Sequence, residues 1–140
     1  MFVKHGRPAR CGPELMKTLI ADDSRTIRQI QKNILRQLGY KEVLEAEDGL
    51  AALTLFKEHA PDLLIVDWNM PGMDGLDLVR KIRETNRSVP IIMCTTEAER
   101  SRVIEAVRAG VTSYVVKPFT PESLGEKIRQ TLSRTAGSAA

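Results

Sequence analysis

Leu63-Leu64-Ile65-Val66-Asp67-Trp68-Asn69-Met70-Pro71 is four apolar residues, one carboxylate, and a loop closed by proline. A continuous apolar run that short, rich in branched side chains, suits a strand buried on both faces, as in a parallel sheet. The same shape recurs at Thr18–Ala21, Val43–Ala46, Ile91–Cys94 and Ser113–Val116. Helical spacing fills the gaps. Ile27, Ile30, Ile34, Leu35 and Leu38 keep i, i+3, i+4 order, and Gly39 stops them. Leu50, Leu53 and Phe56 mark a second helix ending before Pro61; Leu76, Val79 and Ile82 mark a third. Val103, Ile104 and Val107 mark a fourth, closed by Gly110, and Leu124, Ile128 and Leu132 a fifth, entered through Thr120 and Pro121. Strands alternating with helices predict an α/β, doubly wound (βα)5 fold: one five-stranded parallel sheet, helices on both faces, right-handed crossovers.

In such sheets ligands bind beyond the carboxyl ends of the strands, where the strand order reverses. The residues leaving those ends share a theme: Asp22 and Asp23 after the first strand, Asp67 after the third, Thr95 and Thr96 after the fourth, Lys117 after the fifth. Any one of them is an ordinary exit into solvent. Together they bring three carboxylates, hydroxyls and an amine to one sheet edge. At about 5 Å and an effective dielectric near 20, each carboxylate pair costs roughly 3 kcal/mol as an upper bound. A bound cation relieves that cost, and hard oxygen donors with room for water suit Mg2+ better than zinc. A carboxylate beside such a metal can attack a phosphoryl group, with lysine and hydroxyl completing the clamp.

Asp22-Asp23, Asp67, Thr95 and Lys117-Pro118 stand in the order and spacing of response-regulator receiver domains, which this chain resembles over about residues 17–134. Asp67-Trp68-Asn69-Met70-Pro71, Gly72-Met73-Asp74-Gly75, Thr95 through Ala98, and Tyr114-Val115-Val116-Lys117-Pro118-Phe119 are similar to the CheY-like, chemotaxis branch of that family. The flavodoxin-like form of the fold follows from the resemblance. It implies that Asp67 is the phosphoacceptor, and that Asp22, Asp23, Asp67 and the backbone carbonyl of Asn69 hold Mg2+. It implies that Thr95 is the switch hydroxyl, Lys117 the cation on the phosphoryl oxygens, and Tyr114 the switch aromatic, with Lys117-Pro118 in the cis form. Asn69 and Glu97 flank the path of attacking water. Tyr114 as a plain sheet-edge aromatic remains open, as does Thr96 as helix cap or pocket gate. Ser24, Arg25 and Thr26 depart from the CheY-like pattern, at a stretch where kinase docking is expected. Asp74 reads as a solvated loop residue, Asp48-Gly49 as turn and helix entry, and His59 as an exposed helix end; His5 lies outside the constellation.

The implied function is signal transfer. A histidine kinase phosphorylates Asp67, and the switched domain binds a protein target, in chemotaxis such as a flagellar switch. The domain catalyses its own phosphorylation and dephosphorylation and is not a turnover enzyme. The output face expected is the fourth helix, fifth strand and fifth helix, around Arg100, Val103, Tyr114, Val116 and Lys127. One alternative is a phosphorelay intermediate that hands the group to a phosphotransfer protein, or a stand-alone regulator of a kinase or enzyme. An aspartate-nucleophile phosphatase is disfavoured, since such enzymes place a second aspartate where Asn69 stands. A degenerate interaction module is disfavoured because every catalytic position is filled.

Composition sets the frame. The chain has 140 residues, 42% hydrophobic and 28% charged, the balance of one globular domain. No run nears the roughly 18 apolar residues of a membrane helix, and no secretory signal is evident, so a cytoplasmic location is expected. Cys11 and Cys94 have no metal-ligand spacing, and a disulfide between them is not expected. The net charge of +3 sits in residues 1–17, with Lys4, Arg7, Arg10 and Lys17 against Glu14, and the rest of the chain balances. A neutral domain lacks the concentrated basic face that binding DNA or RNA needs. Residues 1–16, with Gly6, Pro8, Gly12 and Pro13, read as a disordered basic leader; 17–134 as the receiver domain; and 135–140 as a frayed tail without chemistry.

Overall fold

The computed structural model describes residues 15–96 and 100–139, with side chains for 15–96 and 101–133. The strands are β1 (Lys17–Ala21), β2 (Glu42–Ala46), β3 (Leu63–Asp67), β4 (Ile91–Thr95) and β5 (Ser113–Val116). They alternate with α1 (Arg25–Gln37), α2 (Gly49–His59), α3 (Gly75–Arg83), α4 (Arg100–Ala109) and α5 (Pro121–Ala139). All strand pairs are parallel, in the order β2-β1-β3-β4-β5. The order reverses between β1 and β3, and that is where the fold opens a crevice.

Alternation along the strands builds two cores, because successive side chains point to opposite faces. Leu19, Leu64, Val66, Ile91 and Met93 pack under α2, α3 and α4, with Phe56, Leu78, Val79 and Ile82. Ile20, Leu63, Ile65, Ile92 and Val115 pack under α1 and α5, with Leu35, Leu124 and Ile128. The central strands β3 and β4 are buried at every position. The edge strands β2 and β5 are only partly covered, and β2 carries charged Glu42 and Glu45, which blunt a free edge.

Short polar side chains start the helices. Ser24, Asp48 and Asp74 accept from the backbone N–H of Ile27, Ala51 and Asp77. Thr120 does the same for Ser123 at 3.0 Å. Left-handed backbone ends α1 and α4 at Gly39 and Gly110, and α2 at Ala60.

Three sequence expectations shift. The apolar stripe of α4 faces outward: Ile104 and Val107 are exposed, and Ala106 is the buried contact. Ile30 of α1 is likewise exposed while Gln31 takes the buried place beside it, although Ile34 and Leu35 are buried as expected. The fifth helix runs to Ala139, past the end expected at 134, because no proline follows and alanine favours continuation. Residues 1–14, with His5 and Cys11, lie outside the described residues, as does Glu97.

Candidate functional site

The C-terminal edge of the sheet assembles the expected cluster. Asp67 is the last residue of β3, and the register Ala21↔Val66 and Asp67↔Cys94 sets it between the ends of β1 and β4. Asp22 and Asp23 follow β1 directly. Asp22 is fully buried, Asp67 nearly so, and Asp23 exposed. One carboxylate oxygen from each of the three lies within 4.8 Å of the others.

Lys117 closes the cluster from β5. Its Nζ donates to Asp67 Oδ1 at 2.8 Å and to Asp22 Oδ2 at 3.0 Å. Its backbone N–H donates to the carbonyl of Thr95 at 2.7 Å, and its peptide bond to Pro118 is cis. Burial alone would lower the Lys117 pKa, but the hydrogen bonds to Asp67 and Asp22 outweigh it and hold the ammonium above its usual value. Burial pushes the Asp67 carboxyl up, against its hydrogen bond from Lys117 and with repulsion from Asp22 and Asp23 adding to the rise. One ammonium is thus too little charge for three carboxylates. Hard oxygen donors in that excess could hold a metal ion.

The turn after β1 is held by groups that sequence reading missed. Ser24 N–H donates to Asp22 Oδ1 at 2.8 Å while its hydroxyl caps α1. Arg28, one turn into α1, donates to the Asp22 carbonyl at 2.6 Å and pairs with Glu45 of β2 at 3.0 Å. Lys32 meets the same Glu45 at 2.8 Å. The spacing of Ser24 before an apolar run was a readable cap signal. The Arg28–Glu45 pairing was not, because it joins two elements.

Tight packing fixes the other side. A Cβ at Gly75 would lie 2.3 Å from the Asp67 carbonyl oxygen, and one at Gly49 would lie 2.4 Å from that of Met73. Trp68 is buried beside Asp67, with the Arg102 guanidinium 4.7 Å from its ring centre. Below the site, burial pushes the Cys94 thiol up to about 12, which leaves it inert.

The remaining expected residues lie on or beside the same elements, except His59. Thr95 is buried at the end of β4. Tyr114 is half-buried on β5, opposite Met93, and packs against the α2–α3–α4 core. Asn69 is exposed in the loop after β3, and Thr96 is exposed after β4. Asp74 caps α3 and stands outside the acid cluster, as does half-buried His59 at the end of α2. On the outer face, Tyr114, Val116 and Lys127 line a shallow hollow of about 540 Å3 between β5 and α5. The Arg100 side chain lies outside the described ones.

The family model described as "Response regulator receiver domain" matches residues 18–129. A "Chemotaxis protein CheY1" of Helicobacter pylori is 53% identical over 120 residues, covering 84% of this chain and 97% of that protein. A "Chemotaxis protein CheY" of Pseudomonas aeruginosa is 49% identical over 124 residues, covering 87% of this chain and 100% of that protein. Among solved structures, the chemotaxis protein CheY4 of Vibrio cholerae superimposes with a TM-score of 0.79 at 37% identity, over 83% of this chain and 98% of that one.

Proposed function

This chain belongs to the response regulator receiver domain family, and on that premise we propose that it accepts a phosphoryl group on Asp67 from a histidine kinase and relays the signal to a protein target in cytoplasmic chemotaxis or motility control. The observation that carries the reading is Lys117 bridging Asp22 and Asp67, with three carboxylates within 4.8 Å.

An Asp67 carboxylate oxygen attacks phosphorus as the P–N bond of the donor phosphohistidine breaks, and the electron pair leaves with the imidazole nitrogen. Lys117, already 2.8 Å from Asp67 Oδ1, is placed to pair with a phosphoryl oxygen. Asp22, Asp23, Asp67 and the backbone carbonyl of Asn69 would hold Mg2+. Mg2+ offsets charge on the phosphoryl oxygens when bound. Hydrolysis reverses the modification: a water oxygen attacks phosphorus, the P–O bond to Asp67 breaks, and the carboxylate is restored as inorganic phosphate leaves. The chain resets itself and turns over no separate substrate. Thr95, at the end of β4, is the hydroxyl that moves toward the new oxygens, and Tyr114 the ring that follows. The departures at Ser24, Arg25 and Thr26 bear on which kinase docks.

The test is labelling by a small phosphodonor, acetyl phosphate, with Mg2+. The wild type should be labelled and Asp67→Asn should not. Unchanged labelling at Asp67 after Asp22→Ala with Asp23→Ala would refute the metal assignment.

A further inference from the structure

We propose that the groove between α3 and α4, walled by Arg80, Arg83, Arg87 and Arg108, is a docking surface for an acidic segment of a protein partner. Two shallow hollows of about 530 and 520 Å3 lie side by side there and share Arg80, Arg108 and Ala109. The C-terminal ends of α3 and α4 border them, and helices in this fold run back along the strands. The groove therefore sits at the opposite edge of the sheet from Asp67.

Four guanidiniums face Glu84 and Glu105 alone among the acids lining the hollows. Arg80 reaches Asp77 only at 3.5 Å, and among the described residues Arg83, Arg87 and Arg108 make no ion pair. Arg83 is built into the floor. Its Nε donates to the Gly110 carbonyl at 2.9 Å and its Nη1 to that of Asn86 at 3.1 Å. Its Nη2 makes no hydrogen bond among the described residues. The positive φ of Gly110, +113°, goes with that placement, since a Cβ there would lie 2.8 Å from Arg83 Cγ. Favourable placement near a helix C-terminus accounts for Arg80 and Arg83 on α3. The same placement accounts for Arg108 in the last turn of α4, but not for Arg87, beyond the helix, nor for the ends of two helices bringing their arginines to one groove.

Shape and chemistry select the occupant. Guanidinium forks match carboxylates in paired hydrogen bonds. A single small anion in so open a trough would stay wet and touch few arginines. A segment with carboxylates about a helical turn apart reaches several at once, and exposed Ile104 at one end offers an apolar seat.

The isotopically labelled full chain is titrated with a ten-residue peptide of glutamates spaced by leucines, with its lysine counterpart, and with inorganic phosphate. Saturable shifts from the glutamate peptide are expected at Arg80, Arg83, Ala109 and Gly110, weakening as salt rises, with none from the lysine peptide. Arg87→Glu with Arg108→Glu, both at exposed positions, should weaken the peptide about tenfold or more and leave Asp67 labelling unchanged. Shifts that centre on α4–β5–α5, fail to saturate, or survive the double substitution overturn the proposal. Phosphate giving the same shifts at lower concentration than the peptide also overturns it, in favour of a small-anion site.

Discussion

Lys117 neutralises one charge of three, and the consequence falls on Asp67, whose carboxyl is pushed up by burial and by its acidic neighbours. Relief of that repulsion should be measurable without phosphorylation. Asp23→Ala should raise the thermal midpoint of the metal-free protein by on the order of 5 °C, and millimolar Mg2+ should do the same for the wild type but not for the variant. Melting curves indifferent to both changes would show that the three oxygens do not act as one site. Glu45 gives a second residue-level expectation. Its hydrogen bond from Lys32, and then that from Arg28, hold its carboxyl below the usual range. A folded-state pKa below the unfolded one means that this stabilisation is present above about pH 4.5, the ordinary value, and is lost as pH falls through the folded value. Glu45→Gln should therefore lose stability less steeply between neutral pH and pH ~3, as read by urea denaturation. It should also weaken Mg2+ binding, since Arg28 then holds the Asp22 carbonyl less firmly; equal slopes would sink the coupling. At this scale the sequence was informative where a residue's position on its own strand sufficed. Asp22, Asp67, Thr95 and Lys117 are legible because each leaves a strand at the same edge. Arg28 on Glu45, and Arg102 over Trp68, were not legible because each contact spans elements that propensity cannot place in register.

Elements meet at the site through glycine. α3 starts against the end of β3, and Gly75 lets its first turn touch the Asp67 carbonyl, with its own N–H donating to the Trp68 carbonyl at 2.8 Å. Gly75→Ala must push the helix off the strand, at a cost of about 1–3 kcal/mol, and the displacement should reach Asp67 and slow its labelling. Gly72→Ala is the control: its φ of +73° makes the change costly, but a Cβ there meets nothing within 4 Å. It should cost about 1–2 kcal/mol and leave labelling alone. Denaturant melts and acetyl phosphate labelling of both variants decide the matter, and equal labelling rates would remove Gly75 from the site. The elements themselves were readable to different degrees. β3 and β4 are buried throughout and show as plain apolar runs. β2 is an edge strand, where burial is partial and the apolar signal thins. Helix α4 misled because its apolar stripe, Ile104 and Val107, faces solvent. A pattern that normally marks a core face here marks a surface.

That outward stripe bears on how the whole molecule would report its state. Thr95 ends β4 and Tyr114 lies on adjacent β5, against which α5 packs, while α2 packs on β1 and β2. The fold order was legible because alternating element types leave few topologies, and the motif order matched a known one. Which surface changes on switching is an expectation that rests on that resemblance, because a single sequence encodes one packing and says little about a second. The structure adds a physical reason. Val116 and Val107 are exposed, Lys127 lies beside the hollow lined by Tyr114, and Tyr114 is half-buried rather than locked in the core. A ring in that position can trade places with solvent at modest cost, and a partner that prefers one placement shifts the population. Beryllofluoride with Mg2+ mimics the phosphoryl group without covalent chemistry, so its chemical-shift changes should fall on α4, β5 and α5, with Trp68 fluorescence changing in parallel. Thr95→Ala should keep labelling of Asp67 but shrink the changes on β5 and α5, as the proposed role of its hydroxyl requires. Lys127→Glu should weaken phosphorylation-dependent partner binding without altering labelling. Changes that fall mainly on α1 and α2 would overturn this output assignment, and Gln31 of α1, which donates to Cys94 Sγ at 3.8 Å, is where such a spread would first be read.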